Sequence, residues 1–114
     1  IQEIGEELKK ISKLCRDLKI DKKEFFGGSM TISSLGGIGG TFFTPIINPP
    51  EVAILGVGKS FDKLVKDKNK IISRKILPIS LSYDHRIIDG AEGARFCVYL
   101  GKCLGKDFAF KLAV

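Results

Sequence analysis

With 114 residues, 44% of them apolar, the chain has enough material for one domain with a real core and too little for two. A charged fraction of 28% and only 4 prolines exclude wholesale disorder, and no apolar run approaches the ~18 residues needed to cross a bilayer. Nineteen basic against 13 acidic residues give a net charge of +6, which an anionic ligand, an acidic lipid surface or a nucleic acid could answer, so its distribution matters more than its sum.

The chain opens at Ile1 with no signal-type segment and reads as a piece excised from a longer protein. Residues 1–18 place Ile1, Ile4, Leu8, Ile11, Cys15 and Leu18 at alternating steps of three and four, with Glu and Lys between them. That spacing predicts an amphipathic helix whose apolar stripe packs on a sheet or a partner helix. Asp21 can cap a short turn over Lys22 to Phe26 before Gly27 and Gly28 break the pattern.

From Phe25 to Gly58 the one charged residue is Glu51, and eight of the 13 glycines fall there. Such a segment is expected to be largely buried or pressed against another chain. Met30 to Ser34 reads as a strand, Leu35 to Thr44 as a glycine-rich excursion and Val52 to Val57 as a buried strand, with Pro45, Pro49 and Pro50 punctuating the connection. Two phosphate-binding patterns fail in this region. Gly58-Lys59-Ser60 ends like a P-loop, but the required first glycine is Ala53. Gly37 and Gly39 begin a dinucleotide fingerprint whose third glycine would fall at Phe42.

Between Lys59 and Lys75 lie seven basic residues against Asp62 and Asp67, with Asn69 in a turn-like setting and Phe61 as the one aromatic. This reads as a solvated hairpin rather than an RNA-binding face. Leu77, Ile79, Leu81 and Tyr83 then alternate with Pro78, Ser80, Ser82 and Asp84, which predicts a strand with one apolar face. Asp89 and Gly90 introduce a second helix, with Ala91, Ala94, Cys97, Val98 and Cys103 or Leu104 expected on its inner side. Cys15, Cys97 and Cys103 have no zinc spacing and no pairing pattern, so buried reduced thiols and a cytosolic or matrix-like compartment are expected, with no metal site. Strands and helices mix without regular alternation. The expected class is therefore α+β, a mixed sheet covered by helices.

The chemistry concentrates at His85, the single histidine, which ends a predicted strand between Asp84 and Arg86 with Asp89 and Gly90 following. An imidazole titrates near neutrality and can take a proton from a thiol, which suits a general base. The run D-H-R-I-I-D-G-A resembles the H-x-x-x-D-G active-site motif of the dihydrolipoamide acyltransferases, the core subunits of 2-oxoacid dehydrogenase complexes. Residues 30–41, M-T-I-S-S-L-G-G-I-G-G-T, and residues 44–57, T-P-I-I-N-P-P-E-V-A-I-L-G-V, follow the same family's order and spacing. The form T-I-S-S-L-G-G-I-G-G-T-F-F-T-P is similar to acetyltransferases of pyruvate dehydrogenase complexes, especially bacterial ones.

The resemblance implies a chloramphenicol acetyltransferase-like fold, of which residues 1–114 would form the C-terminal half of the catalytic domain. It implies that His85 deprotonates the thiol of coenzyme A, or of dihydrolipoamide in reverse, and that Ser33 donates its hydroxyl to the oxyanion. Asp89 would take a polar orienting role, while Arg86, read from the residues themselves, suits a structural ion-pair partner. From the residues alone, Ser33 also suits a strand hydroxyl bonded to a carbonyl, and Asp89 suits a helix N-cap. The family further implies homotrimers building a hollow core, with the histidine of one chain facing the serine of its neighbour. Implied partners are the pyruvate decarboxylase and dihydrolipoamide dehydrogenase components, and a lipoyl group carried on a separate domain. A cytoplasmic location is implied in bacteria, or the mitochondrial matrix in eukaryotes, with no membrane or nucleic-acid role. The alternatives are a non-catalytic assembly piece of the same family and a succinyltransferase of the 2-oxoglutarate dehydrogenase complex.

Overall fold

A computed structural model describes residues 1–105 and Phe108. The first helix, α1, runs Gln2–Arg16, two residues short of the predicted stop. It ends there because Leu18 adopts a left-handed backbone (φ 54°), while Leu18 N–H and Lys19 N–H bond back to the carbonyls of Cys15 and Leu14. Leu18 therefore drops out of the apolar stripe, and no residue of α1 is buried. Asp21 caps a single 3-10 turn, Lys22–Phe25, by accepting from Lys23 N–H at 3.0 Å, as its position in the sequence suggested.

The strands are β1 (Thr31–Ser34), β2 (Ala53–Val57), β3 (Phe61–Asp67), β4 (Lys70–Ile76) and β5 (Ile79–Tyr83), and a second helix, α2, spans Gly90–Cys103. β1, β2 and β5 make a three-stranded sheet in that order, β1 parallel to β2 and β2 antiparallel to β5. The α+β reading with a mixed sheet holds. β3 and β4 form a separate antiparallel hairpin turning at Lys68 and Asn69, with Lys68 left-handed at φ 55°. β5 starts at Ile79 rather than Leu77. Pro78 has no amide to donate, so although its carbonyl still accepts from Gly58 N–H in the same register, the paired strand stops there.

Ala53, Ile54 and Leu55 of β2 are the buried apolar residues at the centre of the sheet, flanked by strands on both edges. Paired residues share a face, so Thr31, Ser33, Ile54, Gly56, Ser80 and Ser82 line one side, and Ile32, Ala53, Leu55, Leu81 and Tyr83 the other. On the first side Phe43 packs so closely on Gly56 that an added Cβ would stand 2.9 Å from its ring. On the second side α2 packs on β5. Its sheet-facing residues are Gly93, Cys97, Leu100 and Cys103, while Ala91, Ala94 and Val98 are exposed. Cys97 and Cys103 of the expected inner face are thus borne out, while Ala91, Ala94 and Val98 give way to Gly93 and Leu100. The physical reason is Gly93, whose missing side chain lets the helix axis settle against Tyr83, where a Cβ would come within 2.8 Å of the ring.

The glycine-rich segment departs from the expected burial within one chain. Pro45, Gly58 and the middle of β2 are buried, yet Phe25, Phe26, Ile38, Phe42 and Ile46 are exposed. The three cysteines are free, as anticipated, but partly exposed rather than buried. The absent P-loop has a structural counterpart: Gly58 N–H bonds to Pro78 and Lys59 N–H to Gly40, so neither amide is available to a phosphate. Among the described residues no helix is long and apolar enough to cross a membrane, and no cluster of His, Cys, Asp and Glu could hold a metal ion.

Candidate active site

His85 leaves the sheet just beyond β5. Asp84 N–H still bonds to the carbonyl of Val52, and the chain then turns, with Ile87 and Ile88 N–H both bonding back to Asp84. The turn lifts the imidazole out of the strand into an exposed position. There it lines an open cleft of about 590 Å³ together with Ile47, Pro49, Glu51, Tyr83 and Arg86. Glu51 is tied to β1 by the Thr31 hydroxyl, which donates to it at 2.6 Å. The wall opposite His85 is thereby anchored to the sheet.

The carboxylates flanking His85 are engaged elsewhere. Asp84 accepts from the Arg86 backbone N–H at 3.0 Å and from its guanidinium at 2.6 to 3.2 Å. The guanidinium bonds, reinforced by the backbone bond, hold the Asp84 carboxyl at about 2 and push Arg86 upward. Arg86 is thus the ion-pair partner the sequence suggested. Asp89 caps α2 by accepting from Glu92 N–H at 2.7 Å. No hydrogen bond joins either carboxylate to the His85 ring among the described residues. What touches the ring is Tyr83, with ring centroids 5.7 Å apart and planes tilted by 36°.

Ser33 does not meet His85 within one chain. It stands opposite Gly56 and, one strand further, Ser80, whereas Tyr83 closes the other end of the sheet opposite Ala53. Three residues along the strand and two strands across put Ser33 about 14 Å from Tyr83, the last strand residue before His85. Sequence reasoning singled out His85, Asp89 and the glycine that follows Asp89, and it did not single out the neighbouring Tyr83 or Gly93. The signal was present in the helix opening, where two glycines three residues apart mark a close approach to whatever lies beneath.

This arrangement, a histidine at the exit of a strand in a mixed sheet backed by one helix, falls within a recognised class. The family model for the catalytic domain of the 2-oxoacid dehydrogenases acyltransferases matches residues 1–109, and the chain belongs to that family. It is 55% identical over 108 residues to the dihydrolipoyllysine-residue acetyltransferase component of the pyruvate dehydrogenase complex of Cupriavidus necator, covering 95% of this chain and 19% of that protein. Among solved structures it superposes on the Azotobacter vinelandii dihydrolipoamide acetyltransferase with a TM-score of 0.88 and 48% identity, covering 94% of this chain and 44% of that one. The cubic core of a pyruvate dehydrogenase multienzyme complex matches with the same TM-score at 47% identity, again over 94% of this chain and 44% of that one. The chain therefore spans about a fifth of the Cupriavidus protein and less than half of the crystallised cores.

The Azotobacter structure was studied for the roles of a serine, a histidine and an asparagine in the catalytic mechanism. In that protein 52 positions separate the serine from the histidine and 4 the histidine from the asparagine, the intervals that separate Ser33, His85 and Asp89 here. The third position carries aspartate in this chain.

Proposed function

We propose that the protein transfers an acetyl group between a dihydrolipoyl-lysine arm and coenzyme A as part of a pyruvate dehydrogenase complex. The observation that carries this reading is the shared spacing of Ser33, His85 and Asp89 with the residues studied in the Azotobacter enzyme, combined with an imidazole facing an open cleft. In the reaction, a His85 nitrogen takes the proton of the coenzyme A thiol. The thiolate attacks the thioester carbonyl, and the carbon–oxygen double bond opens to an oxyanion that accepts a hydrogen bond from the Ser33 hydroxyl. Collapse re-forms the carbonyl and expels the dihydrolipoyl thiolate, which recovers the proton from the imidazolium. Asp89 orients this end of the site through the α2 cap.

Ser33 and His85 lie at opposite ends of one chain's sheet, so the hydroxyl is supplied by a second copy, in keeping with a homotrimer that builds a larger core. Residues 1–114 act as the C-terminal portion of the catalytic domain. The pyruvate decarboxylase and dihydrolipoamide dehydrogenase components are the partners, and the lipoyl arm sits on a separate domain. With bacterial relatives and free thiols, the setting is a reducing cytoplasm.

The test is acetyl exchange between dihydrolipoamide and coenzyme A in the intact protein. His85→Ala is expected to lower kcat by about 10²–10⁴-fold, as loss of a general base does. Ser33→Ala is expected to lower it by about 10²–10³-fold, with assembly preserved in both. Near-normal turnover in His85→Ala overturns the assignment, and assembly without any thiol-dependent exchange in the unmodified protein points to a scaffold instead.

A further inference from the structure

Asp84 is held by Arg86 and Asp89 is engaged in the α2 cap, so neither carboxylate hydrogen-bonds the His85 ring among the described residues. Beside the ring stands Tyr83, whose ring centroid lies 5.7 Å from the imidazole. Tyr83 is itself fixed from two sides. Its backbone pairs with Ala53 in the sheet, and its ring lies against Gly93, where a Cβ would stand 2.8 Å from Cε1, 3.0 Å from Cζ and 3.2 Å from the hydroxyl. The first residue of α2 completes the contact: a Cβ at Gly90 would lie 3.9 Å from both His85 Nε2 and the Tyr83 hydroxyl.

We propose that Tyr83 is a positioning residue for His85, its ring clamped by Gly93 of α2 and in turn fixing the tilt of the imidazole toward the cleft. The inference rests on the reading of His85 as general base. A base that must meet a thiol proton at hydrogen-bond distance gains from a rigid neighbour, since a misplacement of about 1 Å can cost about 10²-fold in rate. An aromatic ring with two torsions, packed against a glycine, provides that rigidity without a charge that would bias protonation.

The imidazole C–H proton resonances of His85, assigned in the intact protein by their loss in a His85→Gln variant, give the experiment its readout. Tyr83→Phe keeps the ring, so the resonances and the exchange rate stay near those of the parent. Tyr83→Leu removes it: the resonances move to the position of a freely rotating imidazole, and kcat falls by about 10²-fold with KM for coenzyme A unchanged. Gly93→Ala pushes its methyl against the Tyr83 ring while leaving the Tyr83 and His85 side chains themselves unchanged, and shifts the resonances part of the way. Parental resonances and kcat in Tyr83→Leu overturn the proposal. If that variant fails to fold by circular dichroism, parental resonances in Gly93→Ala overturn it, as does a Tyr83→Phe variant that loses the parental signature. Should the parent show no acetyl exchange, the functional reading falls, while the resonances still decide whether Tyr83 holds the ring.

Discussion

Asp84 and Arg86 close on one another across the residue between them, and that contact has a pH signature. The carboxyl titrates at about 2 because the guanidinium and the backbone N–H of Arg86 stabilise its charged form. Its folded value lies below its unfolded one. Its contribution to stability is therefore complete above the ordinary aspartate range, near ~3.9, and is lost as pH falls from there through about 2. Arg86→Gln is expected to return the Asp84 carboxyl to that ordinary range, followed by carbon-13 carboxyl titration; an unchanged midpoint would assign the depression to some other cause. Two of the residues that matter here were legible in sequence because their type and interval are informative: a lone histidine followed four positions later by a carboxylate at a helix start. Tyr83 was not. Strand alternation tells which face a side chain takes, and it is silent on contacts made after the chain has turned, as it does at His85. Ser33 was legible only through its motif, since a strand serine has many unremarkable uses.

The second helix shows what a single capping residue controls. Asp89 follows the turn that carries His85, and its side chain caps the helix that packs on Tyr83. Asp89→Ala is expected to cost about 0.5–2 kcal/mol of stability through the lost cap and to slow acetyl exchange. Asp89→Asn keeps an equally good cap and is expected to hold both the melting temperature and the activity. An Asn variant that is stable and inactive would instead give the carboxylate charge a chemical role of its own. Periodicity located α1, α2, the hairpin and the strands within a few residues. It misjudged the inner face of α2, because apolar counting favours Ala91 and Ala94 over a glycine, whereas close packing on an aromatic ring favours the glycine. It also overran α1, because an exposed leucine in a left-handed conformation gives no sequence signal, unlike the glycine commonly found there. The β3–β4 hairpin was anticipated as solvated. Its flat face still carries Leu64 and Ile71 at 72% and 75% exposure, a feature that alternation with lysine conceals.

The molecule as a whole carries more surface than its size requires. A compact chain of 12.5 kDa exposes about 6,200 Å² by the usual scaling, and this one exposes 9673 Å². Its radius of gyration is 16.9 Å, against about 13 Å for a compact domain of this length. The excess lies on the stripe of α1, on Ile32 of the open edge strand, on the glycine-rich segment and on the hairpin. Of these, Ile32 and the glycine-rich segment lie within the nearly charge-free residues 25–58 that the composition marked as needing cover, and a lone chain does not provide it. Hydrophobic content was legible in the sequence; which surface meets which was not, because apolar association is non-directional and leaves no spacing to read. On the proposed reading, the Ser33 and His85 of an active junction come from neighbouring chains, so two differently damaged chains would repair each other where neither can repair itself. Inactive Ser33→Ala and inactive His85→Ala proteins, unfolded together in equal amounts and reassembled, are expected to regain activity in about a quarter of their junctions, the fraction a head-to-tail ring allows. Reassembled mixtures as dead as their parents would mean that each protomer carries out its chemistry alone.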